Sequence, residues 1–329
     1  MNRAATQLLD SEREIDRVWL AQYPKDVPAT IDPSVYQSLV ELIDEGLIKH
    51  ASRIACDFLG KSWTYAELDE ASWALGCHLQ SLGLHPGDRV AVMLPNVPQY
   101  PVAVLAILRA GFVLVNVNPL YTPRELEHQL KDSGAKAMVV IENFAQTLEQ
   151  VIERTPVKHV VLTSLGDMLG GFKGALVNAA VRHVKKMVPP FKLPQAVRFR
   201  HALEHGRHMT LLEANPGPED LAVLQYTGGT TGVSKGAMLL HRNIIANLLQ
   251  SEAWNHPLWK QVPEGDQPVM VCALPLYHIF GFTVNMMFGL RVGARNILIP
   301  NPRDIKATLK ALRGKKFHSF PAVNTLFNA

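Results

Sequence analysis

Short, continuously apolar runs separated by helix-start signals constrain this chain more than any other feature. RVAVML (Arg89–Leu94), FVLVNV (Phe112–Val117), AMVVI (Ala137–Ile141) and HVVLT (His159–Thr163) are too short for core helices and too uniformly apolar for strands with one wet face. Helix starts stand between them. Thr64-Tyr65-Ala66-Glu67 has capping-box spacing and opens an amphipathic helix towards Leu82, while Thr122-Pro123-Arg124-Glu125 adds proline at the first helical position to a cap and a box glutamate. Further helices are expected from about Pro98, ended by Gly111, and over Ala145 to Arg154. Strands buried on both faces and alternating with helices specify an α/β fold of mostly parallel sheets layered with helices.

A chain of 329 residues that is 47% hydrophobic and 19% charged can bury a large core in more than one structural unit. The expected organisation is a helical segment over 1–50, a first α/β lobe over 51–215, and a continuation of the same large domain over 216–329. The last boundary is marked by Asn215-Pro216-Gly217-Pro218. Cys56, Cys77 and Cys272 have neither metal-like spacing nor an even count, so they read as small core fillers. The first twenty residues alternate charged and apolar side chains without an apolar h-region, which predicts a cytoplasmic chain. A net charge of +4 is too weak to imply nucleic acid. Val269–Leu290 has no charged residue over 22 positions, but Pro275 divides it into a buried strand and a buried helix restarting after His278 rather than a membrane span.

The charge is concentrated near 170–209. There Lys173, Arg182, Lys185, Lys186, Lys192, Arg198, Arg200 and Arg207 face a single acid, Glu204. Val177, Val181, Val184 and Val188 recur at helical spacing, with Asn178, Arg182, Lys185 and Lys186 on the other side. Two readings fit: a surface helix with a solvated basic face, or a helix resting on anionic lipid.

YTGGTTGVSKGA (Tyr226–Ala237) follows the apolar run DLAVLQY and holds four glycines, three threonines, a serine and a lysine. Glycines let backbone N–H groups converge on one point without Cβ obstruction, the hydroxyls of Thr227, Thr230, Thr231 and Ser234 add donors, and Lys235 supplies positive charge. That donor concentration suits a polyphosphate. A flexible hairpin turn is the alternative, but it needs one or two glycines and gains nothing from the hydroxyls. Nor is it a Walker A loop, because Ser234 precedes the lysine and Gly236 follows it; KGAMLL reads as a second strand, with a helix from near His241.

With LLHRN (Leu239–Asn243), ALPLYHIFG (Ala273–Gly281) and NPRD (Asn301–Asp304), this loop resembles the acyl-CoA synthetase branch of the adenylate-forming enzymes, and within it the bacterial long-chain fatty acyl-CoA synthetases. The resemblance runs from about Tyr65 to the C-terminus; PLYHIF, VNTLFNA (Val323–Ala329) and glycine at 228 favour the fatty-acid branch. It implies a ligation in which ATP and a fatty acid carboxylate form an acyl-adenylate and pyrophosphate, after which the thiol of CoA displaces AMP. Implied catalytic residues are Lys235, His278 and Thr231. ATP would be held by Tyr226, Thr227, Gly228, Gly229, Thr230, Thr231, Gly232, Val233, Ser234, Lys235, Gly236 and Ala237, with Thr227 also reaching Mg2+. The acyl chain would meet His278, Phe280, Gly281, Phe282, Asn285 and Val323, although Met and Phe at helical spacing fit an ordinary core helix as well.

Partners on this reading are fatty acid, ATP, CoA and an anionic membrane face at the inner side of the cell membrane; a homodimer is allowed and nucleic acid is not expected. Motifs of the family's later half, including its acidic adenylate-binding motif and catalytic C-terminal domain, are absent, so the chain is expected to be an N-terminal part, incomplete at the C-terminus and inactive alone. Alternatives are a CoA ligase for an aromatic or shorter acid, and a non-catalytic nucleotide- or lipid-binding module.

Overall fold

The computed structural model describes residues 17–228, 234–263 and 265–328. Its strands are β1 (Ile54–Phe58), β2 (Lys61–Thr64), β3 (Arg89–Met93), β4 (Val113–Asn116), β5 (Ala137–Ile141), β6 (His159–Thr163), β7 (Ala196–Arg198), β8 (Leu221–Thr227), β9 (Lys235–Leu240), β10 (Val269–Cys272) and β11 (Arg295–Leu298). A large sheet runs in the order β7-β6-β5-β3-β4-β8-β9 and a small one in the order β10-β11-β1-β2. All pairings are parallel except β8–β9 and β1–β2. The expected boundary at 215/216 does not separate them: β8 and β9 complete the large sheet, whereas β10 and β11 join β1.

Period-2 alternation sorts the core. Val90, Val92, Leu114, Val139 and Val161 face a cluster that also takes Cys56, Phe58, Met270, Cys272 and Leu298 from the small sheet. Ala91, Met93, Val115, Val140 and Leu162 point the other way, onto Leu126, Leu130 and Leu148. Between the sheets lies the helix Gln99–Arg109, every residue of which is buried, as its all-round apolar sequence requires. Val271 and Ile297 turn the small sheet's outer face to Leu312 and Phe320.

Local signals place most elements. Both capping boxes form: Thr64 begins the helix Tyr65–Ser81, and Thr122 begins Pro123–Ser133 with Pro123 in the first turn. The helix expected over Ala145 to Arg154 is broken, however, into Ala145–Glu149 and a 3-10 turn Ile152–Arg154, with Val151 at φ −126 between them. The 269–290 stretch divides as expected, into β10 and a helical run from Ile279 that passes through a π-turn, Phe282–Met287, to Val292. Among the described residues no helix is long and apolar enough to cross a membrane.

The basic segment corrects its sequence reading. The helix Gly171–Ala179 runs into a π-turn, Ala180–Val184, and the buried positions are Gly174, Asn178 and Val181 rather than a valine stripe. Asn178 accepts from Gly166 N (2.7 Å) and donates to Asp167 Oδ1 (3.2 Å). Arg182 reaches inward to the buried Glu142, with Nη2 2.6 Å from Oε2, and donates to Ser164 Oγ at 2.9 Å. A buried carboxylate needs a paired charge, and a buried backbone N–H needs an acceptor; those demands outweigh valine burial here. Val184 is left 80% exposed, beside Phe172 at 86% and Leu176 at 60%.

Two histidines are held neutral inside. His241 accepts from Leu39 N through Nδ1 (3.1 Å), and burial, only partly opposed by Asp220, lowers its pKa from 6.5 to about 4. His78 is lowered to about 4 by burial and then by His205 and His159. A base with a depressed folded pKa contributes stability that is complete above the unfolded value and is lost as pH falls through 6.5 towards 4. Unfolding free energy is therefore expected to drop between pH 7.5 and pH 5 by on the order of 2 kcal/mol for each histidine. His241→Asn, which keeps an acceptor for Leu39 N, should remove about half of that drop in urea titrations.

Candidate active site

β8 carries the entry to the glycine loop and β9 its exit, so the hairpin forms the antiparallel edge of an otherwise parallel sheet. Gly229, Thr230, Thr231, Gly232 and Val233 lie outside the described residues. Of the remaining ATP-site candidates, Tyr226 is buried, Thr227 and Gly228 are exposed, and Ser234, Lys235, Gly236 and Ala237 lie at or in β9. Tyr226 pairs with Gly236, and a Cβ on Gly236 would stand 2.9 Å from the tyrosine ring: this glycine is needed so that the ring can cross the partner strand.

Leu274–His278 is positioned by buried amides. Asn96 donates to the carbonyls of Cys272 (3.0 Å) and Leu274 (2.8 Å) and accepts from Leu276 N (2.8 Å). Tyr100 Oη lies 2.7 Å from both the Leu276 carbonyl and Asn116 Oδ1, its single proton shared between them. Asn116 donates to Gln225 Oε1 (3.1 Å), its register partner on β8, and Gln225 donates to the Tyr277 carbonyl (3.2 Å). One continuous network thus links the loop's own strand to the residue before His278.

His278 is exposed and caps the short helix Ile279–Gly281, its Nδ1 accepting from Phe280 N at 3.3 Å. A backbone N–H can only donate, so in the neutral ring the proton sits on Nε2, leaving that nitrogen as a donor for a ligand oxygen. Gly281 approaches the Pro275 carbonyl so closely that a Cβ would stand 2.3 Å from it.

The acyl candidates are not brought to one surface. Phe280 and Val323 are exposed, but Phe282 is fully buried in the core between the sheets, and Asn285, also fully buried, donates to the Val271 carbonyl at 3.2 Å. Phe282, Met286 and Met287 behave as the ordinary core helix of the alternative reading. A cavity of about 40 Å³ lies behind them, between Cys56, Leu105, Cys272 and Met286. A larger cavity, about 390 Å³, lies elsewhere, between Tyr23, Ile31, Ser251 and Trp254, and shares no residue with the loop or with His278. Among the described residues no cluster of three His, Cys, Asp or Glu side chains could hold a metal ion. Thr227 alone offers one neutral hydroxyl, which does not make a Mg2+ site without ligand phosphates.

Asn96, Tyr100, Asn116 and Gln225 were missed by motif reading, yet a signal existed. Asn116 and Gln225 are the polar residues inside the apolar runs FVLVNV and DLAVLQY, and an amide in a strand buried on both faces must have a buried partner.

The antiparallel β8–β9 edge of this mostly parallel sheet thus carries the two ends of the glycine- and hydroxyl-rich sequence, with Lys235 at its exit. The chain belongs to the AMP-binding enzyme family, whose model matches residues 44–329, about twenty residues further towards the N-terminus than the motifs reach. It is 52% identical over 314 residues to the long-chain-fatty-acid–CoA ligase of Salmonella typhimurium, covering 95% of this chain and 55% of that protein. It is 33% identical to the ligase of the same description from Bacillus subtilis, and 30% identical to 4-coumarate–CoA ligase 3 of Oryza sativa over 77% of the chain. The structure of a long-chain-fatty-acid–CoA ligase (FadD1) from Archaeoglobus fulgidus superposes with TM-score 0.69 at 24% identity, covering 93% of this chain and 55% of that one. The chain thus spans about half the length of the relatives it matches.

Asn96→Ala removes three bonds to one segment and leaves the Leu274 carbonyl and the Leu276 N–H without partners, while the Cys272 carbonyl keeps Ile299 N. Urea denaturation should show a loss on the order of 3 kcal/mol.

Proposed function

We propose that the whole protein activates a long-chain fatty acid with ATP, giving an acyl-adenylate and pyrophosphate, and then transfers the acyl group to CoA with release of AMP. The observation that carries this reading is the Gln225–Tyr277 hydrogen bond, which ties the strand entering the glycine loop to the segment ending in His278. In the first step a carboxylate oxygen bonds to the α-phosphorus as the bond from that phosphorus to the pyrophosphate oxygen breaks. Negative charge grows on the leaving phosphates, and loop N–H groups with the Lys235 ammonium would stabilise it; the Nε2 proton of His278 would serve the α-phosphate or carboxylate oxygens. In the second step the CoA sulfur bonds to the acyl carbon as the bond from that carbon to the AMP oxygen breaks, the thiol proton passing to solvent. Mg2+ is proposed only as a counter-ion carried by the phosphates, Thr227 being its one candidate ligand here. Identity of 52% to ligases described as acting on long-chain fatty acids, against 30% to a 4-coumarate ligase, supports the lipid substrate over an aryl acid.

Pyrophosphate exchange by the full-length protein tests this. Oleate or palmitate should stimulate exchange and 4-coumarate should not; the reverse overturns the substrate class. Lys235→Ala should lower kcat/KM for ATP by on the order of 2–4 kcal/mol of transition-state stabilisation. His278→Ala should slow adenylation more than thioester formation, and equal losses accompanied by a lowered Tm would make His278 a structural residue.

Membrane association belongs to the same reading, through a set that keeps only Val184 of the valine stripe. Phe172, Leu176, Val184 and Met187 are exposed, beside Lys185 and Lys186, an arrangement suited to an anionic leaflet. Arg182 is held by Glu142 and is not part of it. Flotation with anionic vesicles should weaken as salt rises and be reduced in the Lys185→Glu/Lys186→Glu variant and in Phe172→Glu; equal failure to float with anionic and neutral vesicles at low salt rejects it.

A further inference from the structure

The helix Pro123–Ser133 lies alongside the loop hairpin and touches both of its ends. Asp132 Oδ2 accepts from Tyr226 Oη at 2.5 Å, at the loop's entry. His128 Nε2 stands 3.0 Å from the Ser234 carbonyl, at the residue before Lys235. A carbonyl only accepts, so Nε2 of His128 carries a proton and donates it. His128 and Asp132 are four residues apart on the helix, one above the other on the same face.

The helix is a rigid support for such contacts. Leu126 and Leu130 are fully buried, Gln129 donates to the Asn116 carbonyl (2.8 Å), and Arg89 Nε donates to the Ser133 carbonyl (2.8 Å). On the hairpin the Tyr226 ring lies across Gly236, so one side chain braces both strands before reaching Asp132. Burial and the bond to Asp132 raise the phenol's pKa, which keeps it a donor across the working range.

We propose that His128 and Asp132 are positioning residues that clamp the two ends of the glycine loop, setting the span over which its backbone N–H groups meet the phosphates of ATP. The clamp rests on the reading of the loop as a phosphate site. Neither residue touches ligand; each acts through a loop end, Asp132 through Tyr226 and His128 through Ser234. Releasing one end removes that end's fixed anchor, so the cost falls on ATP and not on the carboxylic acid.

The test uses the full-length protein, with ATP binding by isothermal titration beside oleate-dependent pyrophosphate exchange. His128→Ala and Asp132→Ala should each raise the ATP Kd and KM by roughly 5- to 10-fold, with KM for oleate unchanged. His128→Gln, whose amide N–H can reach the Ser234 carbonyl, and Asp132→Asn, which still accepts from Tyr226, should recover most of the loss. The clamp is overturned if both alanine variants bind ATP as the wild type does, or if their losses follow a lowered Tm and are not recovered by glutamine and asparagine. Wild-type protein that binds ATP but shows no exchange with oleate would sink the fatty-acid reading while the ATP titrations still decide the clamp; wild-type protein that does not bind ATP would sink both.

Discussion

Buried amides hold this structure in register. Asn116 and Gln225 face each other across β4 and β8, Tyr100 joins them from the central helix, and Asn96 fastens the turn after β10 with three bonds. Each group has left water, so its bonds gain little over hydration, while losing a partner would cost about 1–3 kcal/mol per orphaned atom. This asymmetry makes the network specific: apolar packing tolerates a slide of the helix Gln99–Arg109 between the sheets, but the hydrogen bonds do not. The same bonds fix the distance between the loop's strand and His278, so core register and site geometry are one constraint.

Charge is governed by similar accounting of partners. Glu142 is buried and takes Arg182, with Arg198 3.8 Å away. Asp57 is pushed up by burial, but bonds from Ser62, Arg295 and Lys315 outweigh that and hold it below the usual carboxylate range. Cations that look equivalent in the sequence therefore divide into structural ones and exposed ones. In the basic segment that division removes Arg182 from any lipid-facing set and leaves Lys185 and Lys186.

The β8–β9 hairpin is the place where architecture becomes chemistry. A parallel strand cannot return by a short turn, so an antiparallel edge is what permits a compact loop with both ends near the same helix. Tyr226 crossing Gly236 links the two strands, and His128 and Asp132 meet the two ends. The glycine loop was evident from composition alone; its supports were not, because a histidine and an aspartate on a polar helix face resemble any solvated pair.

By itself the sequence determined what depends on neighbours along the chain. The strands β3 to β6, the capping boxes at Thr64 and Thr122, the strands on either side of the glycine loop and the division of 269–290 at Pro275 into a strand and a helix all follow from period, caps and turn residues acting within a few positions. The π-turn at Ala180–Val184, the break at Val151, the burial of Phe282 and Asn285, and the membership of β10 and β11 in the small sheet were decided only in three dimensions. For the basic segment, Asn285 and β11 the deciding group lies well away along the chain: Glu142 for Arg182, Gly166 for Asn178, Val271 and Asn296 for Asn285, β1 for β11. Local conformation is set by sterics and hydrogen bonds of near neighbours, whereas the need of a buried polar group for a partner is met by whatever the fold brings across from it.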